Sequence, residues 1–315
     1  MMRPRPARYV RVKRPPRPRA ARIGCRRAKR RHSAWNRITM SEVAFADSHV
    51  HLADAAFTDD VDAVIERARA AGARALVCIG ESPAAAVRAQ AIAARYPGLV
   101  FHTCGVHPHD AVSWDDQRDA NAVRDAVGVG AVAVGECGLD YHYDHSPRDV
   151  QRRTLDAQLS LAAELDRPIV LHTREAEDDT RTMLRDAASA GIRGVLHCFT
   201  GSVGLAEAGL EAGWHVSFSG IVTFRTWTDI ELLRLVPDDR LLVESDAPYL
   251  APVPKRGKRN ESSWVPLTVQ RIAEARGTTP ESLAALTLHN TRKFFRLPDD
   301  PTVDRSTAGS VDASL

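Results

Sequence analysis

The sequence predicts an α/β fold, a TIM (β/α)8 barrel, and three observations lead to this prediction. From residue 44 onward, eight short apolar or β-branched segments alternate with longer stretches rich in Ala, Leu, Arg and Glu. Such alternation is typical of parallel strands joined by crossover helices. His49 follows the first segment and Asp246 the eighth, and the interval between them corresponds to about 28 residues per strand and helix unit, a normal period for this barrel.

The predicted elements follow one another in that order. The eight strands are expected at Ala44–Asp47, Ala75–Gly80, Val100–Gly105, Ala131–Gly135, Ile169–His172, Gly194–His197, His215–Ser219 and Leu241–Glu244. Helices are expected between them, for example at Asp59–Ala71, Ala84–Tyr96, Pro147–Leu165 and Glu175–Ala190. Pro83 suits a first helical turn and Gly191 a helix C-terminus. A last pair of helices, Val265–Arg276 and Pro280–Phe295, ends the repeating part.

A doubly wound open sheet is the structural alternative, but no Gly-rich phosphate loop follows the first strand, which disfavours it. No run of about 18 apolar residues occurs, so a membrane span and a membrane partner are not expected. The five cysteines are widely spaced and form no CxxC pair. Their spacing argues against a disulfide scaffold or a structural zinc site and favours a reducing compartment, the cytoplasm.

Charge divides the chain into an acidic body and a basic tail. Residues 1–39 hold 15 of the 43 Lys and Arg residues and no acid, so the remainder carries 28 basic against 40 acidic residues. The tail also contains five prolines and few apolar residues, and we expect it to be disordered. The expected organisation is this tail at 1–39, one TIM-barrel domain at 40–298 and a disordered C-terminal tail at 299–315.

Three interpretations of the basic tail remain open. A dense basic run neutralises phosphates without fixed structure and suits a nucleic-acid-binding arm. An Arg-rich, acid-poor N-terminus also suits an organellar transit peptide, although the prolines interrupt an amphipathic helix. The third interpretation, which we favour, is that the tail does not belong to the mature protein, since Met40 precedes the first strand by a few residues.

Four histidines and two acids lie at the carboxyl ends of predicted strands, where this fold places its chemistry. They are His49, His51, Glu136, His172, His197 and Asp246. Strand geometry directs the imidazoles of His49 and His51 to the same side of the chain, so that both can bind one ion. Any one of these residues alone has an ordinary structural explanation, but the six at barrel spacing predict a metal site with mixed nitrogen and oxygen ligands.

The order of the strands suggests how the ligands divide between two divalent ions. His49, His51 and Asp246 come from the neighbouring first and eighth strands and are expected to hold one ion. His172 and His197 come from the fifth and sixth strands and are expected to hold the second, with Glu136 bridging both. Two such ions activate a water molecule and neutralise charge on a displaced oxyanion. Asp246 and Glu136 are therefore the predicted catalytic residues, Asp246 also as proton acceptor.

Further residues are candidates for binding substrate. His107 follows the third strand and is expected to face the site, whereas His109 is expected to face solvent. Arg174 suits bidentate phosphate binding, with a surface salt bridge to Glu177 or Asp178 as an equal alternative. The loop after the eighth strand, Lys255–Glu261, supplies four positive charges for a polyanion. Its expected substrate contacts are Arg256, Lys258 and Asn260, and a solvated turn is the alternative.

Several of these segments, in the same order, resemble motifs of the TatD family of metal-dependent hydrolases. The motifs are Asp47-Ser48-His49-Val50-His51-Leu52, Gly105-Val106-His107-Pro108-His109, Gly135-Glu136-Cys137-Gly138-Leu139-Asp140-Tyr141, Leu196-His197-Cys198-Phe199-Thr200-Gly201-Ser202, Glu244-Ser245-Asp246-Ala247-Pro248-Tyr249-Leu250 and Arg256-Gly257-Lys258-Arg259-Asn260-Glu261. The likeness covers about residues 44–297. It implies a TIM-barrel deoxyribonuclease whose metal ligands are the same six residues. Ser245 stands where the family usually has Thr, and Glu175 where it usually has Asp.

The leading hypothesis is a deoxyribonuclease, similar to a 3′-5′ exonuclease, that uses two divalent ions, Mg, Mn or Zn, to hydrolyse phosphodiester bonds. Its expected substrate is single-stranded DNA or DNA 3′ ends. A monomer is favoured. The second hypothesis keeps the metals and changes the substrate to an ester, for instance a D-aminoacyl-tRNA or a lactone, because fold and ligands do not decide substrate. The third is a nucleic-acid-binding protein with a degenerate barrel, disfavoured because all six candidate ligands are present.

Overall fold

The computed structural model describes residues 43–298, and the predicted tails at 1–39 and 299–315 lie outside this part of the chain. The strands are β1 Phe45–Val50, β2 Ala73–Cys78, β3 Val100–His102, β4 Val134–Asp140, β5 Ile169–Arg174, β6 Gly194–Leu196, β7 His215–Phe218 and β8 Leu241–Val243. The helices are α1 Val61–Ala70, α2 Pro83–Arg95, α3 Arg118–Gly128, α4 Arg148–Glu164, α5 Glu177–Ser189, α6 Val203–Glu211, α7 Ile230–Leu235, α8 Val265–Arg276 and α9 Pro280–Phe295.

All strand pairs within the described residues are parallel and follow chain order, β1 to β3 in one group and β4 to β8 in another. Backbone hydrogen bonds join the two groups into a closed barrel. Between β3 and β4, the amide of Gly135 donates to the carbonyl of Cys104 at 2.9 Å. Between the ends of β8 and β1, the amide of Asp246 donates to the carbonyl of His49 at 3.0 Å. The prediction of a (β/α)8 barrel is confirmed.

The core has an inner and an outer part. Small and β-branched residues of the strands fill the barrel, whereas larger residues pack between the strands and the surrounding helices. Helix α9 packs near the amino ends of the strands. The ring of Phe294 contacts that of His215 at the start of β7, and the Phe294 carbonyl accepts a hydrogen bond from Arg193 just before β6. The opposite end of the barrel, where the strands finish, is therefore left for the candidate site.

Two strands depart from the predicted bounds in ways that position the site. Strand β1 continues to Val50, so His49 lies within it and His51 directly after it. Strand β4 continues past the predicted end at Gly135 to Asp140. This extension depends on Gly138, which has a φ of 149° and lies beside β5, where a side chain would overlap the carbonyl oxygen of His172. Close approach of the two strands brings Glu136 and His172 to the same end of the barrel.

The helices that the sequence predicts are present with bounds shifted by one or two residues, and α8 and α9 agree with the prediction at both ends. Thr279 begins α9 by accepting a hydrogen bond from the amide of Ser282 at 3.2 Å, with Pro280 in the first turn. Gly277 ends α8 in a left-handed conformation, with a φ of 71°. None of the described helices combines the length and apolar character that crossing a bilayer requires.

Candidate metal centre

The first group of donor atoms joins β1, β4 and the end of β8. Nε2 of His49 lies 3.1 Å from Nε2 of His51 and 3.3 Å from Oε2 of Glu136. Oδ1 of Asp246 lies 3.4 Å from Nε2 of His51. Donors held about 2.1 Å from a tetrahedral ion are about 3.4 Å from one another. The four residues therefore fit a divalent metal ion by both chemistry and spacing.

The second group lies on the other side of Glu136. Oε1 of this carboxylate is 2.8 Å from Nε2 of His197 and 3.3 Å from Nδ1 of His172. The two imidazole nitrogens are 3.4 Å apart. These separations also suit ligands of one ion, and the two oxygens of Glu136 face different groups, as a bridging carboxylate requires. The structure thus brings together all six residues that the sequence singles out, and both groups of donor atoms include Glu136.

The carboxylates of this centre are ionised despite being buried. Burial raises the pKa of Glu136, but the histidines around it, above all His197, lower it well below its usual range. Burial likewise raises the pKa of Asp246, and its contact with His51 lowers it. The pKa of each carboxyl therefore ends below its ordinary value. Buried anions of this kind require positive partners, and divalent ions supply them.

Asp246 leaves β8 in a left-handed conformation, with a φ of 54°. Non-glycine residues adopt this conformation at a cost of about 1–3 kcal/mol and do so mainly at functional sites. Hydrogen bonds fix the turn, since the amide of Asp246 donates to His49 and its carbonyl accepts from Tyr249 at 2.9 Å. The turn places the carboxylate beside the histidines of β1.

Three further carboxylates contact the histidines of the centre. Glu81 lies 2.9 Å from Nδ1 of His51, Glu244 lies 3.4 Å from Nδ1 of His197, and Asp140 lies 3.1 Å from Nε2 of His172. Each of these histidines thus directs one nitrogen to the centre and the other to a carboxylate. Such carboxylates fix the ring orientation and tautomer of metal-binding histidines and increase their basicity. None of these three carboxylates is predicted from the sequence to have a role.

Asp47 links β1 to the chain after β8, the two segments that carry His49, His51 and Asp246, through hydrogen bonds. Its Oδ1 accepts hydrogen bonds from the amide of Ser245 at 2.8 Å and from the amide of His49 at 3.3 Å. The side chain is completely buried, and burial raises its pKa to about 6. Asp47 therefore connects the start of the His49-containing segment with the chain just before Asp246.

His107 faces the centre as predicted, with Nε2 3.5 Å from Oε1 of Glu136. Its Nδ1 accepts a hydrogen bond from the amide of His109 at 3.2 Å, so in the neutral ring the proton lies on Nε2. His107 is thus a hydrogen-bond donor toward the centre. The expectation that His109 faces solvent is wrong. Its ring is partly buried, and its Nε2 lies 3.0 Å from Oδ2 of Asp140, which also contacts His172.

Arg174 remains a candidate for phosphate binding. Its guanidinium lies over the ring of Tyr143, 4.9 Å from the ring centre, and the side chain is exposed. Among residues 43–298, Arg174 forms no salt bridge with Glu177 or Asp178, the two acids expected as its alternative partners. Glu177 instead accepts hydrogen bonds from the amide and hydroxyl of Ser202 at 2.8 and 2.7 Å.

The basic loop after β8 has two exposed cations and two residues with structural roles. Arg256, which lies over the ring of Phe224, and Lys258 are exposed as expected. Arg259 instead forms a bidentate pair with Asp60 at 2.8 and 2.7 Å. Asn260, predicted to contact substrate, is buried, and its Nδ2 donates to the carbonyl of Ser245 at 2.8 Å. The loop therefore offers fewer unpaired charges than predicted, because Arg259 is paired with Asp60, and Asn260 anchors the loop to the barrel.

Comparisons with known proteins agree with this architecture. Residues 46–296 match the sequence model of the family described as TatD related DNase. The chain is 40% identical over 258 residues to the 3′-5′ ssDNA/RNA exonuclease TatD of Erwinia billingiae, covering 80% of this chain and 99% of that protein. It is 36% identical over 252 residues to the uncharacterized metal-dependent hydrolase YabD of Bacillus subtilis, covering 80% and 98%.

A solved structure gives the same result. The crystal structure of YjjV, a TatD homologue from Escherichia coli, superposes with a TM-score of 0.75 at 28% identity and covers 81% of this chain and 98% of that one. The family match spans nearly all of the described barrel, including the six candidate ligands. The chain therefore belongs to the family of TatD-related DNases.

Proposed function

We propose that this protein is a divalent-metal-dependent nuclease that releases nucleotides from the 3′ ends of single-stranded DNA by hydrolysis of phosphodiester bonds. The observation that carries the proposal is the position of Glu136, whose two oxygens face two separate groups of donor atoms at 2.8–3.3 Å. Paired metal sites with a shared carboxylate suit displacement at phosphorus, because charge develops on both the attacking and the leaving oxygen.

Six residues are assigned to the ions, which we take to be two per chain and to be Mg, Mn or Zn. His49, His51 and Asp246 would hold one, His172 and His197 would hold the other, and Glu136 would contribute a ligand to each. When bound, such ions increase the acidity of water and neutralise charge on phosphate oxygens. The oxygen and nitrogen donor set is compatible with all three metals, so elemental analysis of the purified protein decides among them.

The protein's own side chains supply the remaining steps of the reaction. Asp246 has a pKa below its ordinary value, so it is ionised at neutral pH and can accept the proton of the attacking water. His107 donates from Nε2 and is placed to bond a phosphate oxygen beside Glu136. The buried outer carboxylates keep the histidines in the orientation that the centre requires, and the closed barrel beneath excludes bulk water.

Exposed cations at the end of the barrel that carries the candidate metal centre support a polyanionic substrate. Arg174, Arg256 and Lys258 are candidates for contacts with the phosphate backbone. A relative with the name of a 3′-5′ ssDNA/RNA exonuclease supports a single-stranded substrate. We further propose that the protein acts as a monomer and that it acts in the cytoplasm. The free thiols of its four described cysteines support the second of these assignments.

The proposal is tested with Glu136→Ala and a 3′-labelled single-stranded oligonucleotide in Mg²⁺ or Mn²⁺. We expect the variant to lose at least about a hundredfold in kcat, since one substitution removes a ligand from both ions. Glu207→Ala, at an exposed position on α6, is the matched control. Undiminished cleavage by Glu136→Ala would exclude this centre. A parallel panel of RNA, aminoacyl-tRNA and lactones, each with and without a chelator, tests the esterase alternative.

A further inference from the structure

A cluster of aromatic and cationic side chains borders the metal centre beside β4 and β5. We propose that Tyr143, Arg174 and His109, here called the rim platform, bind a nucleobase of the substrate by stacking. This inference rests on the proposed nuclease function and adds to it a specific subsite for the base. None of the three residues belongs to the two donor groups.

Tyr143 is the centre of the rim platform. Half of the surface of this residue is exposed, so its ring is accessible to a ligand. The Arg174 guanidinium lies over its ring at 4.9 Å, and the His109 ring meets it in a T-shaped arrangement at 5.5 Å. Aromatic rings and guanidinium groups are the side chains on which unpaired bases stack.

The rim platform is fixed to the metal centre through Asp140. Oδ1 of Asp140 accepts hydrogen bonds from the amides of His142 and Tyr143 at 3.0 and 2.9 Å. Its Oδ2 faces the Nε2 atoms of His172 and His109 at 3.1 and 3.0 Å. One buried carboxylate thus holds a metal ligand and the backbone of the exposed ring. A binding surface held in place before substrate arrives loses little entropy on binding.

The distance from the rim platform to the centre suits a nucleotide. The ring of His109 is 6.4 Å from the ring of His172 and 5.5 Å from that of Tyr143. The Tyr143 ring is therefore within about 12 Å of a metal ligand. A single nucleotide spans a distance of this order between its phosphate and the far edge of its base, so a phosphate at the centre brings a base to Tyr143.

The charge of the surroundings distinguishes Tyr143 from Tyr249, a second exposed tyrosine at this end of the barrel. Tyr249, on the opposite side, directs its hydroxyl toward Asp54 at 3.4 Å, and burial together with Asp54 and Glu81 raises its pKa to about 12. An acidic neighbourhood repels a phosphate backbone. Tyr143 instead has Arg174 against its ring, and cations favour both the base and its phosphate. The platform is therefore assigned to the Tyr143 side.

The test compares Tyr143→Ala with Tyr143→Phe, which keeps the ring. The substrates are a single-stranded oligonucleotide and the same strand with abasic nucleotides at its 3′ end. For the normal strand, we expect Tyr143→Ala to raise KM about tenfold with kcat nearly unchanged, and Tyr143→Phe to behave as the wild type. The abasic strand should show equal KM in all three proteins. Equal KM for the normal strand in wild type and Tyr143→Ala would overturn the subsite.

A binding experiment separates this inference from the proposed activity. An oligonucleotide with 2-aminopurine at its 3′ end is titrated with Glu136→Ala and with Glu136→Ala combined with Tyr143→Ala. Stacking should quench the fluorescence with the first protein and leave it nearly unquenched with the second. Quenching that persists without Tyr143, or that disappears in Tyr249→Ala instead, would contradict the rim platform. A wild type that binds and quenches but cleaves no nucleic acid would contradict the nuclease function alone.

Discussion

Asp140 accepts from Nε2 of His172 at 3.1 Å, and this contact leaves Nδ1 of the same ring 3.3 Å from Glu136. Asp140, which belongs to neither donor group, therefore sets the orientation of His172, a proposed metal ligand. The pKa of Asp140 is lowered, because its hydrogen bonds with His172, Tyr143 and His109 outweigh the effect of burial. An ionised Asp140 holds the proton of His172 on Nε2 and keeps Nδ1 available as a ligand.

Replacing Asp140 with Asn tests this relationship. The amide keeps an oxygen for the loop amides but removes the carboxylate that accepts from His172. We expect metal affinity to fall about 10- to 100-fold at one of the two sites. The affinity is measured by titrating metal-free protein, with Asp144→Asn, which pairs with exposed Arg148, as control. If both sites of Asp140→Asn bind as in the wild type, the contact with His172 does not position the ligand.

Asp47 is expected to stabilise the junction of β1 and β8. Asp47→Ala removes the acceptor of the Ser245 and His49 amides, and a buried donor without a partner costs about 1–3 kcal/mol. We expect the free energy of unfolding to fall by at least that amount in urea denaturation of the metal-free protein. Asp54→Ala, which removes an exposed cap, should cost less. A smaller loss in Asp47→Ala than in Asp54→Ala would contradict this role.

His215 should make the barrel sensitive to acid at the end away from the metal centre. Burial, with Arg240 adding to its effect, lowers the pKa of His215 from 6.5 to about 4. Between these values the unfolded chain binds the proton and the folded protein does not, so stability falls as the pH drops from 6.5 to 4, by about 1–3 kcal/mol.

The measurement for His215 is the free energy of unfolding as a function of pH for the wild type and His215→Phe. The variant cannot bind this proton, so its stability should decline less between pH 6.5 and 4. Other groups titrate in both proteins, so their contributions cancel in the difference between the two free energies of unfolding. Parallel curves across this range would show that the pKa of His215 is not depressed.

Lys258 and Arg256 are expected to bind the phosphate backbone without affecting the chemical step. Lys258→Ala should raise KM for single-stranded DNA and reduce the slope of log KM against log salt concentration by about 0.7 for each phosphate that the protein no longer neutralises. Lys293→Ala on α9, at the other end of the barrel, is the control. An unchanged slope in Lys258→Ala and Arg256→Ala would mean that the loop does not bind phosphates.

The barrel and the six candidate ligands could be predicted from the sequence, because both depend on local patterns. Each ligand follows an apolar segment, and strand ends meet at one face of a parallel barrel. The carboxylates that contact the histidines were not predicted, because a single acid near a strand end is common. Asp140 lies beyond the strand end predicted at Gly135, because Gly138 is a poor strand residue and its close approach to β5 is a tertiary feature.

The basic loop shows a second limit of sequence reasoning. Arg259 and Asn260 have the residue types expected of a substrate-binding loop, and their composition alone predicts contact with a polyanion. The partner of Arg259 lies far away along the chain, since Asp60 is 199 positions before it, whereas Asn260 donates to Ser245, 15 positions before it. Arg259 and Lys258 are neighbouring basic residues in the sequence, but the fold gives them different roles.

The central claim is that Glu136 serves two metal ions at once, and metal content measures it most directly. The wild type, loaded with Mn²⁺ or Zn²⁺ and passed through a desalting column, should retain two ions per chain by elemental analysis. Glu136→Ala should retain fewer than one, because both sites lose a ligand. Two ions retained by Glu136→Ala, or one at most by the wild type, would contradict the account.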